Sequence, residues 1–160
     1  MRSLLILVLM LSGCGLRPVY GGGGSGVVAT TLAGVEVAPI EGRSGWLMSN
    51  ALNDRLRRSE GAAKYRLDVR LSDTIIGLGV RRDDSVARER RALRARYQLV
   101  ELASGQVVLD ATAGSDAGID VVQSEFATIA AENTALERLS GIVADQIVAR
   151  LASFARPPAP

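Results

Sequence analysis

The sequence contains no histidine, one cysteine and one lysine, and each shortage excludes a class of chemistry. Without histidine, the chain can form neither a catalytic triad that uses this base nor a histidine-based metal site. Because Cys14 is the only cysteine, no disulfide can form within one chain. Lys64 is the only lysine, so arginine carries almost all of the positive charge. We therefore predict no catalytic residues, no metal site and no cofactor.

The arginine content has two explanations. The formal net charge is only +2, so a basic function has to come from arginines that cluster locally. Guanidinium groups bind phosphate and carboxylate groups through two parallel hydrogen bonds, whereas lysine acts as a point charge. A GC-rich coding sequence would also raise the arginine count, without any functional consequence.

The first apolar run is too short to cross a membrane and is typical of a signal sequence. A positive start, Met1-Arg2, precedes the apolar residues 4–11, which small residues and Cys14 follow. Secretory signals have this order, with an apolar segment of roughly 7–15 residues, whereas spanning needs about 20. The ending Leu11-Ser12-Gly13-Cys14 resembles a bacterial lipobox, which implies cleavage before Cys14 and acylation of its sulfur and new amine. An ordinary signal peptide or a short membrane anchor is the alternative.

The chain divides into four predicted segments. Residues 1–13 are the signal peptide, 14–33 the lipidated cysteine with a glycine-rich tether, 34–155 a single domain, and 156–160 a proline-rich tail. The glycine run at 21–24 cannot build a core and is typical of a flexible tether. A phosphate-binding loop is disfavoured there because no G-K-[ST] ending follows.

Hydrophobic periodicity predicts six elements in the domain. Ser44 and Ser124 are typical helix N-caps, and the connection Ala103-Ser104-Gly105 predicts a hairpin. Residues 114–122 remain open between strand and loop. The predicted elements are strand 34–40, helix 45–59 ending before Gly61, strand 65–76, strand 86–102, strand 106–114 and helix 124–154. This β-α-β-β-β-α order predicts an α+β two-layer sandwich, a four-stranded and mostly antiparallel sheet with two helices packed on one face.

Residues that share a face predict which side chains are buried. On the strand 86–102, one face consists of Leu93, Ala95, Tyr97 and Leu99. The apolar stripe of the last helix consists of Phe126, Ile129, Ala130, Leu136, Leu139, Val143, Ile147 and Leu151. Trp46 is predicted to be an anchor, either in the core or at a partner surface.

The stretch after the lipobox carries a family resemblance. Gly15-Leu16-Arg17-Pro18-Val19-Tyr20-Gly21 is similar to the opening of the LptE family, the lipopolysaccharide-assembly lipoproteins, in its alphaproteobacterial branch. Residues 127–135 and 144–151 also look like that family's terminal helix. The resemblance implies the family's fold, in which two helices pack on a four-stranded sheet.

The resemblance implies a role in binding and assembly, and no enzymatic activity. It implies a lipoprotein on the periplasmic face of the outer membrane, held in the lipid by acylated Cys14. The implied partners are the LptD β-barrel, which it helps to assemble, and lipopolysaccharide, which it helps to deliver to the cell surface. Export makes nucleic acid an unsuitable partner. A structural or tethering lipoprotein is the alternative, and a periplasm-facing enzyme is less favoured.

Four arginines occupy the strand face opposite the predicted core. We call them the arginine row, and they are Arg88, Arg90, Arg94 and Arg96. The cluster around the row also contains Arg81, Arg82 and Arg91. Side chains two positions apart on a strand lie about 6–7 Å apart, a spacing that lets several guanidinium groups meet one phosphate-bearing ligand. The row is therefore a candidate site for lipopolysaccharide, with a solvated face or a partner contact as alternatives.

Overall fold

A computed structural model of the chain describes residues 26–57, 61–80 and 86–156. Within these ranges the elements are α1 (Val27–Ala33), β1 (Val35–Val37), α2 (Gly42–Leu56), β2 (Tyr65–Val80), β3 (Val86–Glu101), β4 (Val107–Asp120) and α3 (Glu125–Phe154). Several predicted features lie outside the described ranges and stay predictions, and they are the signal peptide, Cys14, the glycine run, Arg81, Arg82 and residues 157–160.

The strands form one mixed sheet in the order β1-β2-β3-β4. β2, β3 and β4 are antiparallel neighbours, whereas β1 runs parallel to β2 and pairs Val35 with Tyr65. A parallel pair needs a crossover connection, which α2 supplies here. The predicted sandwich with a mostly antiparallel four-stranded sheet is confirmed.

Helix α1 is an addition that the sequence pattern does not predict. It spans Val27–Ala33, inside the segment assigned to the tether, so the observed order is α-β-α-β-β-β-α. Four of its seven residues are valine or threonine, whose branched side chains disfavour helices. Its burial is slight, because Leu32 is its only buried residue. Because only one side chain of this helix is buried, its sequence has no repeat of apolar residues from which a helix could be predicted.

The start of α2 lies three residues before the predicted start. Glu41 is the N-cap residue, instead of Ser44, and the helix begins at Gly42. Gly45, predicted as the first helical residue, is buried inside the helix. A Cβ at Gly45 would overlap the Ile40 carbonyl, so glycine is required there for close packing rather than for a helix start.

The end of α2 and the length of β2 also differ from the prediction. α2 ends at Leu56, and Arg57 adopts a left-handed backbone with φ 46°. Glycine usually takes this position because it lacks a Cβ, which is why the pattern pointed to Gly61. β2 continues through Gly77, predicted as turn, to Val80.

The β3–β4 connection is a tight turn, as predicted. Gly105 has φ +70°, and its N–H donates to the Glu101 carbonyl at 2.8 Å. β4 then continues through Gly114 as far as Asp120, so most of the open segment 114–122 is strand.

β4 forms an outer edge of the sheet, and a side chain of α3 makes a hydrogen bond to it. The Gln146 side-chain oxygen accepts a hydrogen bond from the Gly114 N–H at 3.1 Å. The middle of this edge therefore has a partner from the helix layer.

The core lies between the inner face of the sheet and the helices α2 and α3. The predicted inward residues of β3 are at most 2% exposed, and they are Leu93, Ala95, Tyr97 and Leu99. Leu52 of α2 and Leu136 of α3 are equally well buried. Trp46 is 64% exposed, so its core alternative is wrong and only the partner-surface alternative stays open.

The first turns of α3 depart from the predicted apolar stripe. Phe126 is 87% exposed and Ile129 45%, and Ala130 is exposed too, whereas Thr128 is buried. Helical residues two apart point about 200° apart, so burying Thr128 turns Phe126 to the opposite side. The predicted stripe is wrong for these three residues and right from Leu136 onward. The predicted N-cap is confirmed, since Ser124 Oγ accepts from the Ala127 N–H at 3.4 Å.

Candidate functional site

The arginine row lies on the outer face of the sheet, opposite the helices. All four of its side chains are exposed, and the alternate residues of β3 are in the core. The facing predicted from the sequence is therefore confirmed. The ligand assigned to the row remains a prediction.

Three members of the row are paired with aspartates of the neighbouring strand β4. The pairs are Arg88–Asp120 at 3.1 Å, Arg94–Asp116 at 2.9 Å and Arg96–Asp110 at 3.2 Å. Each pair is exposed, so water screens the attraction and the net contribution of the pair to stability is small. Sequence reasoning missed these pairs because they depend on the β3–β4 register, which the alternation of side chains does not reveal.

Arg90 is the member of the row without an ion pair among the described residues. Its neighbours across the sheet are Gly118 on β4 and Ile76 on β2, neither of which carries charge. The uncompensated charge of the row is therefore concentrated at Arg90.

Arg94 is held by the backbone as well as by Asp116. Its Nη1 donates to the Ser115 carbonyl at 3.0 Å. The side chain crosses Gly114, where a Cβ would overlap the Arg94 Cδ. Glycine at this strand position therefore makes room for the arginine, and Arg94 is less able than Arg90 to turn towards a ligand.

Two donors converge on the Asp110 carboxylate. Arg96 donates to it, and so does the Gln98 side-chain nitrogen at 2.8 Å. These hydrogen bonds lower the pKa of Asp110 below its ordinary value, and the bond to Asp110 raises the pKa of Arg96. The pair therefore stays charged over the whole physiological pH range.

Arg91 belongs to the inner face, although the sequence placed it in the same cluster. Its side chain is 11% exposed and makes two hydrogen bonds with Asp73, at 2.8 and 2.6 Å. A third bond runs from Arg91 Nη1 to the Glu132 carbonyl of α3 at 2.8 Å. The hydrogen bond that Arg91 donates to Asp73 raises the pKa of Arg91, against the effect of burial. Arg91 therefore connects β2, β3 and α3 and is unavailable to a ligand.

A second clamp joins α2 to α3. Arg55 donates to both carboxylate oxygens of Asp145, at 2.6 and 3.2 Å, and to the Gly141 carbonyl at 3.3 Å. The hydrogen bond from Arg55 lowers the pKa of Asp145. The two partners are 90 residues apart in the sequence, so only the assembled fold identifies this pair.

The end of the sheet near residues 75–90, which we call the distal end, combines apolar and cationic groups. Ile76 lies directly opposite Arg90, and Leu78 opposite Arg88. Six large apolar side chains are exposed on this hairpin and on the segment where β4 leads into α3, and they are Ile75, Ile76, Leu78, Val122, Phe126 and Ile129. Apolar surface beside guanidinium groups suits an amphiphile that has both acyl chains and phosphates.

Two further observations concern the described part of the chain. No three acidic, cysteine or histidine residues there come close enough to hold a metal ion. None of the helices in this part has the length and apolar character needed to cross a membrane.

Comparison with known proteins gives structural relatives and one family. A structure of a lipoprotein from Caulobacter crescentus CB15 is 26% identical, with TM-score 0.69, over 84% of this chain and 100% of that one. Rare lipoprotein B from Shewanella oneidensis is 13% identical, with TM-score 0.60, over 74% and 92%. The minor lipoprotein from Acinetobacter baumannii is 14% identical, with TM-score 0.58, over 79% and 93%. The last two show a shared fold only.

Comparison with curated proteins finds no match. The sequence profile of the LptE lipopolysaccharide-assembly family matches residues 32–151, from the end of α1 almost to the end of α3. This match covers well over half of the chain and includes the whole sheet. The chain belongs to the LptE family of lipopolysaccharide-assembly lipoproteins.

Proposed function

We propose that this protein is an outer-membrane lipoprotein that partners the LptD β-barrel. In this role it assists assembly of the barrel and delivery of lipopolysaccharide to the cell surface. It acts by binding, without catalysis, and faces the periplasm.

The observation that carries the proposal is the family match over residues 32–151. The lipobox-like ending at Cys14 adds the anchor, because acylation there would hold the chain at a membrane surface. One acyl chain anchors only marginally, whereas two or more chains hold stably.

The direct test is affinity purification of the full-length chain from envelope membranes. We expect a large β-barrel to co-purify, and we expect the intact mass to show acyl groups on a chain that begins at Cys14. An acylated chain without a barrel would support the tethering alternative. An unmodified Cys14 would contradict the anchor.

Lipopolysaccharide contact is assigned to the arginine row, with Arg90 as its principal residue. Arg90 has no ion pair among the described residues, so binding a phosphate there breaks none. The exposed Ile76 and Leu78 beside the row offer contact to the acyl part of the same molecule. The paired members Arg88, Arg94 and Arg96 would contribute only after loosening from their aspartates.

Reversing Arg90 to glutamate is therefore expected to weaken lipopolysaccharide binding about tenfold, the effect of one charge-assisted hydrogen bond of roughly 1.5 kcal/mol. The thermal midpoint should hardly change, because exposed substitutions usually stay within about ±0.5 kcal/mol. Binding to purified lipopolysaccharide, measured by fluorescence at two salt concentrations, tests this. Higher salt should weaken binding to the unaltered chain, since exposed charges are screened over about 10 Å at 0.1 M.

The matched control is Arg138→Glu, an equal charge reversal on the exposed side of α3. If both variants lose affinity equally, binding follows net charge and the row has no specific role. If neither Arg90→Glu nor salt changes the affinity for lipopolysaccharide, the row does not bind this ligand. Barrel contact or plain solvation would then be its role.

A further inference from the structure

Among the described residues, the edge of the sheet next to β1 is open over most of β2. β1 pairs only with Tyr65, Arg66 and Leu67, whereas β2 continues to Val80. β1 cannot extend far, because Pro39 has no N–H to donate to a ladder. The chain then turns away into α2, and β2 is left as an edge strand.

The observed hydrogen bonds between β1 and β2 show which backbone groups of β2 face this edge. The Tyr65 N–H donates to the Gly34 carbonyl at 3.1 Å, and the Leu67 carbonyl accepts from the Ala38 N–H at 3.0 Å. Alternation places the N–H and C=O groups of the next odd-numbered residues on the same side, and these are Val69, Leu71 and Asp73. Within the described ranges, none of these backbone groups has a hydrogen-bond partner on that side.

A shallow depression lies beside the open edge. Its lining includes Pro39, Ile40 and Glu41 after β1, and Asp68, Val69, Arg70 and Leu71 of β2. The Asp68 carboxylate is already paired with Arg66. Val69 is almost fully buried, whereas Pro39 and Arg70 are exposed. An aliphatic side chain of an added strand could therefore pack here while its backbone continued the sheet.

Within the described ranges, Arg70 has no counter-ion, unlike most arginines of the outer face. Arg66 pairs with Asp68, and three members of the arginine row pair with aspartates of β4. Arg70 instead lies directly opposite Arg96 on β3, and it forms no ion pair among the described residues. Its other flank is the open edge, where a strand beyond β2 would supply the next side chain.

We propose that this edge binds an extended strand of a partner protein, which adds to the sheet beside β2 and places an acidic side chain against Arg70. Strand addition of this kind draws affinity from main-chain hydrogen bonds and specificity from alternate side chains. The chain's own N-terminal segment does not fit, because it has no acidic residue before Glu36. A second copy fits poorly, since the aspartates on its β4 edge are already paired. The inference does not depend on the proposed function.

Amide hydrogen exchange on the full mature chain tests the open edge. Without a partner, the amides of Val69, Leu71 and Asp73 should exchange fast, and those of Arg70, Ser72 and Thr74, which point to β3, slowly. The probe is an eight-residue peptide of alternating valine and threonine with one central glutamate. Its addition should slow exchange at the three edge amides and leave the β3-facing amides unchanged.

A charge swap tests the role of Arg70. A second peptide with lysine in place of the glutamate should bind about two- to fivefold more weakly, as expected for an exposed ion pair. Arg70→Glu should reverse this preference. Arg138→Glu, the same charge reversal on the exposed side of α3, should leave it as it was.

Three results would overturn the proposal. The edge amides could already be protected without peptide, or no peptide could protect them at millimolar concentration. The preference between peptides could also survive Arg70→Glu. Protection that rises with protein concentration in the absence of peptide would assign the edge to a second copy instead.

Discussion

Replacing Leu136 by aspartate is expected to unfold the domain. Leu136 is 2% exposed and lies in the apolar core, and Arg91, which bonds to the Glu132 carbonyl one turn earlier, is already paired with Asp73. An unpaired buried charge costs roughly 3–5 kcal/mol, and domains are usually stable by only about 5–15 kcal/mol. Circular dichroism during heating should therefore show a large fall in the melting midpoint, or no cooperative transition.

The matched control is Thr134→Asp, two positions earlier on the same helix. Thr134 is exposed, and its hydroxyl bonds only to the Ala130 carbonyl of its own helix. The same carboxylate placed there should change stability by about 0.5 kcal/mol at most. Equal melting curves for the two variants would show that the facing of α3 is wrong.

Removing one partner of the Arg91–Asp73 ion pair should destabilise the fold more than replacing both partners by apolar residues. Asp73→Ala leaves the guanidinium of Arg91, 11% exposed, without its carboxylate. We expect a loss of about 2–4 kcal/mol in the free energy of unfolding, slightly below the range for fully buried pairs because both side chains reach some water. The double variant Asp73→Leu with Arg91→Met should recover much of this loss, since apolar groups of similar size need no partner. Urea unfolding measures all three free energies.

Asp110→Ala serves as the comparison on the outer face. Asp110 also pairs with an arginine, but both side chains are well exposed, at 38% and 67%. Its removal should lower the free energy of unfolding far less than Asp73→Ala does, because water screens an exposed ion pair. If Asp73→Ala were as mild as Asp110→Ala, the inner pair would have no special role in holding the hairpin to α3.

The sequence predicted the elements whose side chains repeat over many residues. Alternation along β3 identified both the buried face from Leu93 to Leu99 and the exposed row, because a strand has only two faces. The long helix α3 was predictable for the same reason from Leu136 onward. Helix α1 was not predictable, because a seven-residue helix with one buried side chain has no repeat to detect.

The ion pairs could not be predicted, because they depend on register and on packing between distant segments. Asp116 meets Arg94 only because β3 and β4 pair in one of several registers that the alternation allows equally. Arg91 has the same parity as the core residues of β3, which is why it is not part of the predicted row. Its partners Asp73 and Glu132 come from β2 and α3, so only the assembled fold identifies them.

The contact between Gln146 and the Gly114 N–H has a consequence for self-assembly. If β2 of one molecule could join β4 of the next, each added molecule would expose one further edge, and the association would have no end. The side-chain oxygen of Gln146 already accepts a hydrogen bond from the Gly114 N–H in the middle of β4. An incoming strand would first have to displace this side chain. One open edge opposite one obstructed edge permits capture of a single strand and opposes growth of a fibre.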